Sequence, residues 1–177
     1  MHNKQQSFLN HYFADIWKGD IAHYIYSGFS ICDKISDNSA ILDVGCGDNL
    51  FKARLQNVTG IDPGNKKADY LTSIEDYRST DRYDVALCLG SINFGNEVII
   101  KNQIKHVVDL LKPNARIFWR CNPGQQDHNN NECQEIKFFS WSFELLRQYA
   151  DEYGFTVKNA AIDSNKVHQR LYCEWHR

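Results

Sequence analysis

Several common signals are missing from this sequence of 177 residues. No C-x-x-C pair occurs among Cys32, Cys46, Cys88, Cys121, Cys133 and Cys173, so zinc-site spacing is absent and no metal site is expected. Three of these thiols lie in apolar, strand-like settings, where free cysteine acts as a small hydrophobe. Such scattered cysteines fit a reduced, cytoplasmic protein. No run of five basic residues occurs and the net charge is −2, which argues against a strong general grip on nucleic acid. A local patch for a small RNA or a modified nucleotide stays open. There is no apolar stretch of 18 residues to span a membrane, and residues 1–6 are polar, without the apolar core of a secretion signal. Hydrophobic residues at 42% and aromatics at 13% instead describe a globular chain, long enough for one domain with a real core.

The chain is organised around Ile41-Leu42-Asp43-Val44-Gly45-Cys46-Gly47-Asp48-Asn49-Leu50-Phe51. Ile41, Leu42 and Val44 suit a buried parallel strand. Gly45 and Gly47 let the backbone approach a ligand with no Cβ in the way. Asp48 or Asn49 can cap a helix that follows. A strand, a bare turn and a helix start form the opening of a nucleotide-type α/β site. The dinucleotide fingerprint wants a third glycine at position 50, where Leu50 stands, and no Walker A loop is present. Asp43, ahead of the glycines, would repel pyrophosphate but suits a cationic ligand. Asp62 ends a second apolar run at 58–62, 19 residues after Asp43, and an acid at about that distance suits a ribose diol.

Spacing predicts further elements. Phe8, Leu9, Tyr12, Phe13, Ile16 and Trp17 recur at helical intervals, and a second helical stretch is expected over 21–35 with Gly28 as its weak point. Tyr12, Trp17, Tyr24 and Tyr26 are either a substrate lid or one face of a helix packed on the sheet edge. Between 62 and 70 there is no room for a helix of average length, so a short loop or one turn is expected, with 70–74 as either the third strand or the loop that follows it. A buried strand over 85–89, an amphipathic helix over 97–111, a strand over 117–121 and a helix from Ser140 or Ser142 to Gly154 follow. Two strands over 155–162 and 170–175 close the chain as a hairpin. The polar segment 125–132 is a solvated loop or part of an acceptor site.

The glycine turn resembles the first motif of the class I S-adenosylmethionine-dependent methyltransferases, [DE]-x-G-x-G-x-G, with Asn49 in place of the last glycine. Asn tolerates the left-handed backbone better than most residues. Arg82-Tyr83-Asp84-Val85 is similar to that family's fourth-strand opening, and Leu110-Leu111-Lys112-Pro113-Asn114 to its turn before the fifth strand, where Asn114 replaces the usual glycine and tolerates a left-handed turn. The resemblance covers about residues 40–175. It implies an α/β, three-layer sandwich with a mostly parallel seven-stranded sheet in the order 3-2-1-4-5-7-6, the last strand antiparallel. It divides 1–177 into an N-terminal helical cap, 1–38, and a Rossmann-like core, 39–177. The cofactor implied is S-adenosyl-L-methionine, with S-adenosyl-L-homocysteine as product. Its contacts would be Asp43, Gly45, Cys46, Gly47, Asp62, Pro63, Ser73, Ile74, Leu89 and Gly90, with Glu75 or Asp76 facing the adenine amino group.

Methyl transfer needs positioning above all, and a base only if the acceptor carries a proton that must leave. Asn93 could orient an acceptor or serve an Asx turn, and His128 in the polar loop is the better-placed base. His106, Glu97 and Asp127 are candidates by residue type alone. No Asn-Pro-Pro-[FYW] motif and no Pro-Cys nucleophile occur. The reading is a methyltransferase for a small molecule, such as a sugar or another metabolite, with no membrane partner and an open oligomeric state. Its alternatives are a module with a decayed cofactor site acting through a protein partner, and an RNA or nucleotide methyltransferase.

Overall fold

The computed structural model describes residues 2–16, 21–124, 136–165 and 168–177. Its sheet has seven strands: β1 (Ile41–Val44), β2 (Val58–Asp62), β3 (Tyr70–Leu71), β4 (Tyr83–Leu89), β5 (Leu111–Cys121), β6 (Thr156–Ser164) and β7 (Gln169–His176). They lie in the order β3-β2-β1-β4-β5-β7-β6, as the resemblance implies. Pairings are parallel from β3 to β5, while β7 runs antiparallel to both β5 and β6.

Side-chain alternation splits the core into two faces. Leu42, Val44, Ala86, Cys88, Ile117, Trp119 and Cys173 face one side. There they meet α2 (Glu97–Asp109) and α3 (Phe143–Glu152). α2 buries Ile100, Ile104 and Val107, one stripe at helical spacing, and Asn96 caps it by accepting from Ile99 N at 3.1 Å. Ser142 caps α3 through Leu145 N at 3.2 Å, and Gly154, with φ +76°, follows its end. Ile41, Val85, Leu87, Phe118 and Tyr172 face the other side, under Ile31, Ile35 and Phe51. This second layer is thin. Among the described residues it consists of short 3-10 segments at Ile21–His23, Phe29–Lys34 and Leu50–Ala53.

Three local expectations are corrected. The stretch 21–35 is not one helix, because Asp163 on β6 takes its backbone donors: Oδ1 accepts from Ile25 N (3.0 Å) and Tyr26 N (3.2 Å), and Oδ2 from Ser27 N (2.8 Å) and Ser27 Oγ (2.6 Å). A Cβ on Gly28 would lie 2.4 Å from the Tyr24 carbonyl oxygen, so the tight fold there needs glycine. The N-terminal helix α1 spans His2–His11 and continues as a π-helical turn, Tyr12–Ile16. Trp17 lies outside the described residues. Finally, β5 starts at Leu111 rather than 117. Asn114 has no positive φ, because the register slips between Tyr83↔Leu111 and Val85↔Arg116 and takes up the extra residues as a bulge.

The crossover from β2 to β3, residues 63–69, contains no helix, as expected. Side chains do the work of helix hydrogen bonds. Asp62 Oδ1 accepts from Gly64 N and Asn65 N, both at 2.8 Å, and Asn65 reaches Asp48 Oδ1 at 2.9 Å. Asp69 then accepts from Gly60 N at 2.9 Å, which locks β3 against β2.

Candidate functional site

Three left-handed residues at alternate positions build the turn after β1: Gly45 (φ +66°), Gly47 (φ +53°) and Asn49 (φ +56°). The two glycines are needed for different reasons. A Cβ on Gly45 would lie 2.4 Å from Ser91 Cβ, so the turn packs directly on the end of β4. A Cβ on Gly47 would meet nothing within 4 Å; it would project into open space. Gly45 N and Cys46 N both donate to Ile61 O, at 2.8 and 3.0 Å, and Gly47 N donates to Asp62 Oδ2 at 3.1 Å. The turn is therefore fixed before any ligand arrives.

Asn49 occupies the capping position but makes no capping bond. Its side chain packs where Gly60 lacks a Cβ and donates to Lys67 O (3.3 Å) and Asp69 Oδ2 (3.4 Å). A Cβ on Gly60 would lie 2.7 Å from Asn49 Oδ1. The Asn49 side chain and the missing Cβ of Gly60 fit each other, and this gives a test. Gly60→Ala should destabilise the fold by about 1–3 kcal/mol through overpacking. Adding Asn49→Gly should recover most of that loss, a coupling that urea unfolding of both single variants and the double will show.

A cavity of about 1140 Å³ opens at the carboxyl ends of β1, β2, β4 and β5. All ten residues expected at a cofactor site line it: Asp43, Gly45, Cys46, Gly47, Asp62, Pro63, Ser73, Ile74, Leu89 and Gly90. Asp43 is 3% exposed and accepts no hydrogen bond from the described residues. Burial pushes its carboxyl up to about 7, with Arg120 opposing and Asp62 adding to the rise. Burial also raises the Cys46 thiol well above its ordinary range, so it is no nucleophile. Asp62 holds three backbone N–H groups and keeps acceptor capacity on Oδ2. The Pro63 carbonyl accepts from Asn10 on α1 at 3.3 Å. Ser73 Oγ donates to Asp76 Oδ2 at 3.0 Å, and Glu75 accepts from Gln103 Nε2 at 2.7 Å. Ser91 Oγ and Gln103 Oε1, both in cavity-lining residues, are buried polar atoms without a partner among the described residues.

The acceptor-side candidates fare differently. Asn93 lines the cavity, but its amide is spent on backbone: Nδ2 donates to Gly90 O and Oδ1 accepts from Asn122 N, both at 2.9 Å. It splices the ends of β4 and β5. Glu97 accepts from Tyr149 and His106 bonds the Asn102 carbonyl; neither lines the cavity. His128 and Asp127 lie outside the described residues. Of the tyrosines, Tyr12 is buried beside Phe8 and Phe13, Tyr26 stacks on Tyr172, and Tyr24 lines the cavity. Among the described residues no cluster of His, Cys, Asp and Glu is arranged to hold a metal, and no helix is long and apolar enough to cross a membrane.

The sequence reading missed Arg120 and Arg170, which also line the cavity and are 6% and 8% exposed. Arg120 donates to Leu89 O (2.6 Å) and Ser27 O (3.2 Å), and its guanidinium lies 4.4 Å from the Tyr24 ring centre. A signal was there for one of them: Arg120 stands between Trp119 and Cys121 in an otherwise apolar strand, and a charge there is seldom idle.

No protein-family model matches this sequence, and no curated protein matches it. Solved structures do. Magnesium protoporphyrin IX methyltransferase (ChlM) from Synechocystis PCC 6803, with bound S-adenosylhomocysteine, is 13% identical at a TM-score of 0.67, covering 97% of this chain and 99% of that one. The 1,6-didemethyltoxoflavin-N1-methyltransferase of Burkholderia thailandensis is 15% identical at a TM-score of 0.63, covering 78% and 71%. The N-methyltransferase NodS of Bradyrhizobium japonicum WM9 is 12% identical at a TM-score of 0.60, covering 78% of each chain. The chain thus has the class I methyltransferase fold.

Proposed function

We propose that this chain is an S-adenosylmethionine-dependent methyltransferase acting on a small molecule. The observation that carries the reading is Asp43, a buried carboxylate without a hydrogen-bond partner among the described residues, lining the cavity beside a bare glycine turn. A buried acid of that kind calls for a cation. Asp43 and the Gly45–Gly47 backbone would hold the amino-acid end of the donor. Asp62 Oδ2 would take a ribose hydroxyl, and Leu71, Ile74 and Gln103 would receive the adenine, with the buried Gln103 Oε1 as an acceptor for its amino group. Bound there, the donor supplies an electrophilic methyl group on a sulfonium.

The chain's own residues then position and exclude water. The cavity exceeds the roughly 300–1,000 Å³ of an ordinary ligand site, which supports a donor and a small acceptor side by side. Residues 1–38 act as the cap: Leu9, Asn10 and Phe13 from the N-terminal segment, with Tyr24, line the cavity. Asn49 takes the left-handed turn a glycine would take, and Asp62 and Asp69 tie the short crossover to the backbone at Gly60, Gly64 and Asn65, so neither feature favours a decayed cofactor site.

The test is a calorimetric titration with S-adenosylhomocysteine. Wild type should bind, and Asp62→Asn should bind at least about tenfold more weakly. Asn retains one oxygen for the Gly64 and Asn65 amides but gives up the bond from Gly47 N, so urea unfolding of the variant accompanies the titration to separate lost binding from a loosened turn. No binding by wild type at millimolar ligand would overturn the reading.

A further inference from the structure

Three phenylalanines line the cavity from three distant parts of the chain: Phe13 in the π-helical turn, Phe94 after β4 and Phe138 ahead of α3. Their rings form one tilted row. The ring centres of Phe13 and Phe94 lie 5.3 Å apart with planes at 51°, and those of Phe94 and Phe138 lie 5.4 Å apart at 46°. Each side chain is half-buried and packs on the buried cluster of Tyr12 and Ile136, while part of it lines the cavity.

Backbone pairing fixes two of these rings. Phe94 and Phe138 stand opposite each other in an antiparallel bridge. Phe139 N donates to Asn93 O at 2.8 Å, Gly95 N to Lys137 O at 3.2 Å, and Trp141 N to Asn122 O at 3.1 Å. The segment 138–141 therefore ties the end of β4 to the end of β5. The residues assigned to the donor belong to the other side: Asp43 and the Gly45–Gly47 turn to β1, Asp62 to β2 and Leu71 to β3. In the sheet, β4 and β5 follow β1 on the side away from β2 and β3. The ring row thus belongs to the half of the cavity beyond the donor. Apolar ring surface facing a cavity is surface that a ligand can take out of water. A phenyl ring is electron-rich on its face and electron-poor at its edge. A flat conjugated body can stack on one ring of a tilted row and meet the next edge-on, and a puckered saturated body of the same size cannot.

We propose that the methyl acceptor carries a flat aromatic body, and that Phe94 and Phe138, with Phe13 from the cap, receive it. This deepens the methyltransferase reading and rests on it for the division of the cavity into donor and acceptor halves. The rival occupant is the adenine of the donor, since Phe94 shortly precedes α2, the helix that carries Gln103.

The experiment titrates 2-naphthol and its saturated counterpart, decahydro-2-naphthol, into protein saturated with S-adenosylhomocysteine, followed by NMR or calorimetry. The two probes share a skeleton and a hydroxyl and differ in flatness and ring electrons. 2-Naphthol should bind about 2- to 10-fold more tightly. Phe94→Leu and Phe138→Leu keep an apolar side chain without a ring, and each should remove most of that preference while S-adenosylhomocysteine affinity stays at the wild-type value. Phe138→Tyr keeps the ring and should keep the preference. Equal binding of the two probes to wild type, tighter binding of the saturated one, or no binding of either at millimolar concentration overturns the proposal with no variant needed. So does a preference that survives in both leucine variants, because the rings are then not its source. A tenfold loss of both S-adenosylhomocysteine and 5′-methylthioadenosine affinity in Phe94→Leu gives that ring to the adenine and overturns the proposal as well. If wild type binds no S-adenosylhomocysteine, the methyltransferase reading fails; the two probes are then titrated into free protein, where a preference lost in the leucine variants keeps the aromatic site and the absence of a preference overturns it too.

Discussion

Asp43→Asn should make the ligand-free protein more stable at pH 8 and cost it about 10- to 100-fold in S-adenosylhomocysteine affinity. Opposite signs from one substitution follow from where the carboxylate sits. It is buried and accepts no hydrogen bond from the described residues, so the cost of taking it out of water exceeds what the Arg120 charge returns. Its folded pKa of about 7 lies above the unfolded value near 3.9. The folded state therefore holds the proton more tightly. The group's contribution is most favourable below about pH 4, is lost as pH rises to about 7, and is constant above that. The full swing is on the order of 4 kcal/mol. Thermal denaturation of the free protein between pH 4 and pH 8 should show this decline in wild type, and a flatter profile in Asp43→Asn. The same slope in both would mean that Asp43 is satisfied in the fold. A cationic donor reverses the preference, because it binds the ionised form. Affinity should rise as pH approaches 7 and level off above it.

The second large effect separates two glycines that look equivalent in the motif. Gly45→Ala places a methyl group 2.4 Å from Ser91 Cβ on a left-handed backbone. Clash and strain together should cost about 3 kcal/mol or more, enough to threaten folding. Ser91→Gly in the same chain removes the clash and should return all but about 1–2 kcal/mol. Gly47→Ala meets no atom within 4 Å and should cost only that smaller backbone strain. Its methyl group stands in the open space of the cavity, however, so S-adenosylhomocysteine affinity should fall at least about tenfold. Urea unfolding and ligand titration on the same samples separate the two. If Gly47→Ala binds as wild type does, the ligand does not approach that backbone.

These contrasts mark what the chain discloses before it is folded. The strand order, the glycine turn and the left-handed Asn49 are local or motif-encoded, and they appear where the sequence puts them. The two N-terminal turns do not. Periodicity over 21–35 is helical, yet a carboxylate 136 to 138 residues away claims the amides that a helix would need. No window of sequence contains both partners. Asn114 failed for a related reason: a bulge between two strands absorbs the residues that a turn would have used. The arginines were visible as residues but not as a pair, since only the β5–β7 pairing brings them into one cavity. Asn93 was visible as a polar residue near the site, but its commitment to Gly90 and Asn122 is a matter of geometry.

The Asp163 clamp also sets an order of events during synthesis. Residues 25–27 leave the ribosome early, but the carboxylate that fixes them belongs to the penultimate strand. The roof over the arginine end of the cavity, including Tyr24, gains that anchor only when the closing hairpin has emerged. A nascent or truncated chain that stops before β6 lacks the clamp even where β1, β2 and β4 have already paired. Synthesis of the β6–β7 hairpin and completion of the pocket are then the same step.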